Sequence, residues 1–469
     1  MATAAGIAHN QGIYMRKLVV ALAAIAVLAT GCGSRGSDAS GGVGANSSGD
    51  TSTTAASGGG AGDWGDLKAV CGPNEGGGKV ASSDNQGVSA DEIVLGTVAD
   101  PGFQGRPGLN QELFDAGDAF VEWCNAAGGI NGKKLVLNKH DAKLTDYQPA
   151  IEQACKTDFS LVGGGAVQDN LWSKVGVGCD LIDVPGFAVT AEKAGLTGDS
   201  PTDTREVQPV PNAGDNYQVG PAIILDKEFP DAKDRHGFMY SDFQTILAQK
   251  SKEAQAFESI GHKVVHNGVY NIAGESNWKP FATAIKDDKV KFYKFIGEPE
   301  NAGNLEAAMK QVGYQPEVRY YETNFYDQVF LDAAGDAANG AYIGTSYVPM
   351  EEADTHPATK LYMETVDAVK GKKAVLGIQS MSAWLLFATL AKTCDKQDDL
   401  TRSCILREGA KVHEWTGGGL HAPTDPGTNT ASDCVMVLKV VDGKFERYAP
   451  TDKDFDCDPS YSARVKPSK

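Results

Sequence analysis

Two stretches of this chain carry residue types suited to covalent chemistry. Gly163-Gly164-Gly165 has the composition of a loop whose amides could receive an oxyanion. His140-Asp141 offers two of the three members of a hydrolytic triad. Neither comes with a nucleophile. The sequence has no GxSxG elbow, no HExxH pair, no GxxxxGK[ST] loop and no strand-linked GxGxxG. The nine cysteines form no CxxC pair and no Cys/His spacing suited to zinc. The remaining chemistry is non-covalent: amides, hydroxyls, aromatic rings and a few charges on loops. No catalytic group and no cofactor is called for. With 43 basic against 61 acidic residues and a net charge of −18, nucleic acid is a poor partner.

The elements that must position these groups begin at residues 93–143. Ile93 to Val98 is a short β-branched apolar run and reads as a buried strand. Leu109, Leu113, Ala116, Phe120 and Cys124 follow helical spacing. Gly128-Gly129 stops that helix, and Leu135 to Leu137 resumes as strand. Strand, crossover helix and strand of this length make a parallel βαβ unit. Alternation continues with helices at 147–156 and 168–175 and strands at 159–163 and 181–186. The pattern breaks near Pro209-Val210-Pro211-Asn212. A second α/β series then runs to Val318–Tyr321, and residues 341–346 lead back. The helix Trp384 to Cys394 is apolar enough to pack inside the first lobe. Near Gly417-Gly418-Gly419 the chain crosses again. Residues 435–440 and 445–448 form a hairpin about Asp442-Gly443.

The stretch Asn125-Ala126-Ala127-Gly128-Gly129-Ile130-Asn131-Gly132-Lys133, with Asp141 after the next strand, resembles a signature of extracellular solute-binding proteins. The family is that of the Leu/Ile/Val-binding proteins serving ABC importers, and the resemblance runs from about Val88 to Tyr448. It implies the type I periplasmic binding fold: two doubly wound α/β lobes joined by a three-strand hinge, with a ligand cleft between them. The expected lobes are 64–210 plus 348–416 and 211–347 plus 417–469. The implied partners are a small organic ligand (an amino acid, amide or related acid) and permease subunits, with the protein a monomer.

The N-terminus fits export. Arg16-Lys17 precedes the apolar run Leu18–Leu28, too short to span a membrane as a mature helix, and translation is read as starting at Met15. Leu28-Ala29-Thr30-Gly31-Cys32 resembles a bacterial lipobox, which makes Cys32 the lipidated residue and residues 1–32 the signal. Residues 33–63, rich in Gly, Ser, Ala and Thr, read as a flexible tether with a reach of about 30 Å. The expected location is the outer face of the cytoplasmic membrane. The other cysteines are an even set, as expected of disulfides in an exported chain. The expected pairs are Cys71–Cys124, Cys155–Cys179, Cys394–Cys404 and Cys434–Cys457.

The resemblance also places the ligand contacts. In this family hydroxyls and amides of the first lobe hold an amino acid's carboxylate, and an acidic residue holds its ammonium. Where the family carries serines, this chain has Gly163 to Asp169. Backbone at Gly165 and Ala166, or the Gln168 side chain, would serve instead. Thr190 occupies the second hydroxyl-bearing loop, with helix capping as its alternative role. Gln104 and Arg106 lie in the first contact loop, and a guanidinium can hold a carboxylate in bidentate fashion. Phe243 and Gln244 stand near an expected tyrosine. Tyr326 and Asp327 resemble another cleft loop, and Gln379 is a further contact. Two other functions remain open: a ligand sensor of the same fold, and a tethered exported hydrolase.

Overall fold

The computed structural model describes residues 60–76, 86–198 and 201–467. The expected signal, Cys32 and residues 33–59 lie outside the described residues. Everything described belongs to one compact unit, 56–469. Gly60–Asp63, read above as the end of the tether, already join the fold. The Asp63 carboxylate accepts the amides of Gly60 and Ala69 at 3.1 and 2.7 Å.

The first sheet contains β1 (Glu92–Ala99), β2 (Lys134–Asp141), β3 (Ser160–Val162) and β4 (Asp183–Val184), all parallel in the order β2-β1-β3-β4. β1 and β3 are covered on both faces and buried almost throughout, whereas β2 at the edge of the sheet is partly open and turns polar from Asn138. Ile93 and Leu95 pack with Phe120 and Trp384, whose rings stack at 5.3 Å. Val98 and Leu161 pack on the other face with Tyr147, Ile151 and Trp172. Trp384 belongs to the helix Val375–Lys396, which is long and apolar enough to cross a membrane. Of its most apolar stretch 89% is buried inside the protein, which accounts for its all-round apolarity.

The expected helix at 168–175 is helical only over Trp172–Val175, and the expected strand at 181–186 pairs only over Asp183–Val184. The helices Gly220–Glu228, Pro357–Ala368 and Arg402–Gly409 were not anticipated.

The glycine-rich signature has a structural explanation. Asn125 exchanges two hydrogen bonds with the Leu135 backbone at 3.0 and 2.8 Å, fixing the helix Gln111–Ala126 to β2. Gly128 and Gly129 have φ of 111° and 79°, a region that L side chains avoid. Asn131 and Lys133 converge on Asp395 in the long helix, the ammonium at 3.0 Å. Asp141 accepts the amides of Gly102 and Lys143 and so shapes the loop after β1.

The second sheet follows the linking strand β5 (Asn216–Gln218). It contains β6 (His236–Ser241), β7 (Val264–Tyr270), β8 (Phe292–Ile296), β9 (Val318–Tyr321), β10 (Tyr342–Thr345), β11 (Cys434–Val441) and β12 (Lys444–Ala449). Its order is β12-β11-β10-β9-β8-β6-β7, with β13 (Asp456–Cys457) also on β11. The pairs among β6 to β10 are parallel. β11 runs antiparallel to β10 and turns into β12 through Asp442 and Gly443, at φ 48° and 72°, as a type I′ turn needs.

The two sheets are linked by three segments. The first leads from Pro209 to β5, which also pairs with β14 (Ser462–Arg464). The second leaves β10 at Ser346. The third runs through His421 to Ser432. Tyr347 and His421 form a bridge, Ala422 donates to the Ser346 carbonyl at 2.8 Å, and Thr424 Oγ1 donates to the Pro209 carbonyl at 2.6 Å. The links are therefore bonded to one another. Gly417–Gly419 precedes the third link and lies against the N-terminal segment, where Gly418 accepts the Asp66 amide at 3.1 Å.

Four disulfides join Cys71–Cys124, Cys155–Cys179, Cys394–Cys404 and Cys434–Cys457, the pairs named above.

Candidate functional site

A cavity of about 300 Å³ lies between the carboxyl ends of the two sheets. One wall comes from loops after β1, β3 and β4 and from Leu376 and Gln379 of the long helix. The facing wall comes from loops after β8, β9 and β10 and from the helix Gln244–Ser259. The linking segments at Val210–Asn212, Asn216–Gln218 and Ala431–Ser432 close its side. Ligands of open parallel sheets bind at this edge.

The loops of the first wall present few backbone donors, because two buried carboxylates have already bound several of their amides. Asp100 accepts from Leu144 N at 2.7 Å and from Val167 N at 2.9 Å. Asp169 accepts from Val189 N at 2.6 Å, Thr190 N at 3.1 Å and Thr190 Oγ1 at 2.7 Å. Burial pushes both carboxyls up to about 6, against the pull of these donors. The wall faces the cavity with the apolar Leu109, Val167, Phe187, Ala188, Val189 and Leu376, and with Arg106, Asn110, Glu112 and Gln379 as its polar side chains.

The second wall is acidic. Glu253 and Glu322 share the buried Lys294, whose Nζ is 3.1 and 2.7 Å from them and 4.8 Å from the Tyr320 ring centre. Glu322 keeps 30% of its side chain open, is otherwise enclosed by protein, and has its carboxyl pushed up to about 8 by burial. Burial brings Lys294 down to about 8. Glu298 accepts from Tyr270 OH at 3.1 Å and Asn301 Nδ2 at 3.2 Å, and burial raises its carboxyl against the field of Arg106. Lys372 bridges the walls, 3.1 Å from Glu112 on the first and 2.6 Å from Asp327 on the second. Thr245 Oγ1 also crosses, donating to Val167 O at 2.7 Å.

Of the ten contacts expected from sequence, Arg106 and Asp327 line the cavity. Arg106 lies 3.9 Å from Glu300. Asp327 also caps the helix Gln328–Ala334 through Val329 N. Gln379 lines the cavity too. The other eight do not reach it. Gln104 is exposed and bonds its own loop at Gly102 O. Gly165 is stacked behind Phe187, where a Cβ would lie 2.4 Å from the ring, and Ala166 is in the rear core. Gln168 is half-buried beside them. Thr190 is held by Asp169. Phe243 and Gln244 start the helix after β6, Phe243 half-buried in an apolar cluster and Gln244 exposed. Tyr326 is buried with its hydroxyl on Glu351 and on the Met350 amide, and its ring edge-on to Phe445.

Sequence reasoning missed Glu112, Glu253, Glu298, Glu322, Asn216 and Gln249. Glu253 sits in the charged run Gln249–Glu258, which reads as a solvated face. Glu322 could have been found, since an acid directly after the buried strand Val318–Tyr321 sits at the functional edge. A Ser–His contact does occur: Ser382 Oγ is 2.8 Å from His421 Nε2. Both are buried at the third link, with Trp415 Nε1 also donating to Ser382, so the pair serves packing there. Among the described residues no three His, Cys, Asp or Glu side chains are placed to hold a metal.

Two α/β sheets whose carboxyl edges face a common cleft, joined by three bonded links, define the type I periplasmic binding fold. Residues 228–444 match the periplasmic binding protein family. No curated protein matches the chain. Solved structures share the fold. A fatty acid ABC transporter substrate-binding protein from Thermomonospora curvata has a TM-score of 0.65 at 15% identity, covering 81% of this chain and 96% of its own. A branched-chain amino acid ABC transporter protein from Thermus thermophilus, with bound valine, has 0.62 at 13%, covering 79% and 98%. A leucine-binding protein from Thermotoga maritima has 0.61 at 12%, covering 77% and 99%. The chain thus resembles the branched-chain amino acid binding proteins in fold.

Proposed function

We propose that this chain is the solute-binding component of an ABC importer. It captures a small organic solute between its lobes, 64–210 plus 348–416 and 211–347 plus 417–469, and delivers it to a permease. Lipid on Cys32 holds it at the outer face of the cytoplasmic membrane, and it works as a monomer without altering its ligand. The observation that carries this reading is the cavity at the facing strand edges, crossed by Lys372 from Glu112 to Asp327. A ligand that bridges the same two walls would favour closure about the linking segments, a hinge transition. The family match over 228–444 and the names of the structural neighbours support a transport role. Arg106, Asp327 and Gln379 are the sequence-derived residues in the proposed site.

Thermal unfolding of the mature protein against amino acids, amides, amines, aromatic acids, fatty acids and sugars tests the reading. A ligand at 100 times its Kd adds about 2.7 kcal/mol. Failure of every class, together with no co-purified small molecule, overturns it. A ligand that binds but whose uptake does not depend on the protein would favour a sensor. Loss of radiolabelled palmitate incorporation in Cys32→Ala tests the anchor.

A further inference from the structure

We infer that the cavity selects an organic cation: a protonated amine on an apolar body, without a free carboxylate. The inference rests on the solute-binding reading and names the chemistry of its ligand.

The first support is the distribution of charge. Glu112, Glu253, Glu298, Glu322 and Asp327 line the cavity, with Arg106 as the lining cation. Lys372 is shared by Glu112 and Asp327, and Lys294 by Glu253 and Glu322. Arg106 faces Glu298 and is also 3.9 Å from Glu300. Each resident cation thus faces two carboxyl groups, and burial holds the Glu322 carboxyl up at about 8, so at neutral pH it keeps a proton where a third cation could stand. An entering anion would meet carboxyls that outnumber the cations, whereas an ammonium would take the place of that proton.

The second support is independent and concerns hydrogen bonds. Gln249 directs its amide nitrogen to Glu253 Oε1 at 2.8 Å. A carboxylate accepts, so Gln249 Oε1 is the atom left over, and it is buried with no partner among the described residues. Gln249 Oε1 is thus a free acceptor on a residue that lines the cavity, next to Glu253, and the Tyr217 hydroxyl, also unpartnered among the described residues, can accept as well as donate. Buried acceptors without donors are costly, and an ammonium brings up to three donors. The Tyr217 and Tyr320 rings already flank the Lys294 cation and suit a second one nearby.

The third support is the opposite wall. The amides of Val167, Val189 and Thr190 and the Thr190 hydroxyl are bound to Asp100 and Asp169, and the wall offers apolar surface around Phe187. A ligand carboxylate would find no hydroxyl there and would have to draw Arg106 from Glu298 and Glu300, while an alkyl or aromatic body would fit.

Calorimetric titration of the full chain with matched probes decides the matter. One series is 3-methylbutylamine, leucine and 4-methylpentanoate; the other is 2-phenylethylamine, phenylalanine and 3-phenylpropanoate. The expected result is that an amine binds at least about tenfold tighter than its amino acid and that the acids do not bind, as one charge-assisted hydrogen bond lost or gained implies. Glu322→Gln should weaken amine binding about tenfold, and Glu364→Gln, on an exposed helix face, should leave it unchanged. If Glu322→Gln does not fold, Gln249→Leu is the second variant, and it too should weaken the amine. Tighter binding of an acid or amino acid, equal effects of Glu322→Gln and Glu364→Gln, or no amine binding overturns the inference. In that event a hit from another solute class leaves the solute-binding reading standing, and no hit from any class removes both.

Discussion

Thr190 donates its hydroxyl to Asp169 Oδ1 at 2.7 Å, and the same carboxylate accepts the amides of Val189 and Thr190. The hydroxyl is turned into the wall and not toward the cavity. Thr190→Val keeps the shape and leaves Asp169 one donor short. The expected cost is about 1–3 kcal/mol in urea unfolding. Ligand affinity should stay nearly unchanged. A collapse of affinity with stability intact would return Thr190 to the ligand.

Asp100 and Asp169 also set a pH dependence. Burial raises both carboxyls from the ordinary 3.8 to about 6. The folded chain therefore holds these protons more tightly than the unfolded chain. Between about pH 4 and 6 the folded state binds more protons, so their contribution to stability falls as pH rises. Asp169→Asn mimics the protonated form at every pH. The stability difference between wild type and variant should move in the variant's favour by on the order of 2–3 kcal/mol between pH 4 and 7. Denaturant midpoints at the two pH values measure it, and a difference that does not change with pH would contradict the assignment.

The fold was legible because its signals are local. The apolar run Ile93–Val98, the spacing of Leu113, Phe120 and Cys124, and the Asn125–Lys133 signature each depend on residues close in sequence. The site was less legible because it depends on partners far apart. Thr190 reads as a ligand hydroxyl until Asp169 is seen beside it. Tyr326 reads as a cleft aromatic, yet its hydroxyl is taken up by Glu351 and the Met350 amide and its ring by Phe445, outside the cavity lining. Glu253 reads as surface until Lys294, from a strand 41 positions on, meets it in the interior. Asp327 survives because a helix cap at a strand end keeps its position whatever its partner.

The bridge made by Lys372 should matter for closure as well as stability. Glu112 and Asp327 are 2% and 3% exposed and come from opposite walls. Lys372→Met leaves two buried carboxylates without their shared cation. Breaking a buried pair costs about 3–5 kcal/mol, and the 28% exposure of the Lys372 side chain places this case toward the low end. The variant should also open: small-angle scattering of the ligand-free protein should give a larger radius of gyration than wild type. An unchanged radius with reduced stability would mean that the links, and not this ion pair, set the angle between the lobes.

The disulfides make a graded prediction through the chain length that each closes. Cys71–Cys124 spans 53 residues and ties the entering segment to the helix Gln111–Ala126, while Cys394–Cys404 spans only 10. Restricting the unfolded chain stabilises the folded one in proportion to the logarithm of the loop. That gives about 4 kcal/mol for the first pair and about 3 kcal/mol for the second. The first has a further consequence, because Gly72 N bonds Gly129 O at 2.7 Å and Gly132 N bonds Gly72 O at 3.0 Å beside it. Replacing Cys71 and Cys124 by serine frees that segment from the glycine turn that orients β2. The paired variant should therefore lose more stability than Cys394→Ser with Cys404→Ser, and its amides at Gly72 and Gly132 should exchange hydrogen faster. Equal losses, with those amides still protected, would show that the backbone bonds alone hold the segment and that the bridge acts only on the unfolded chain.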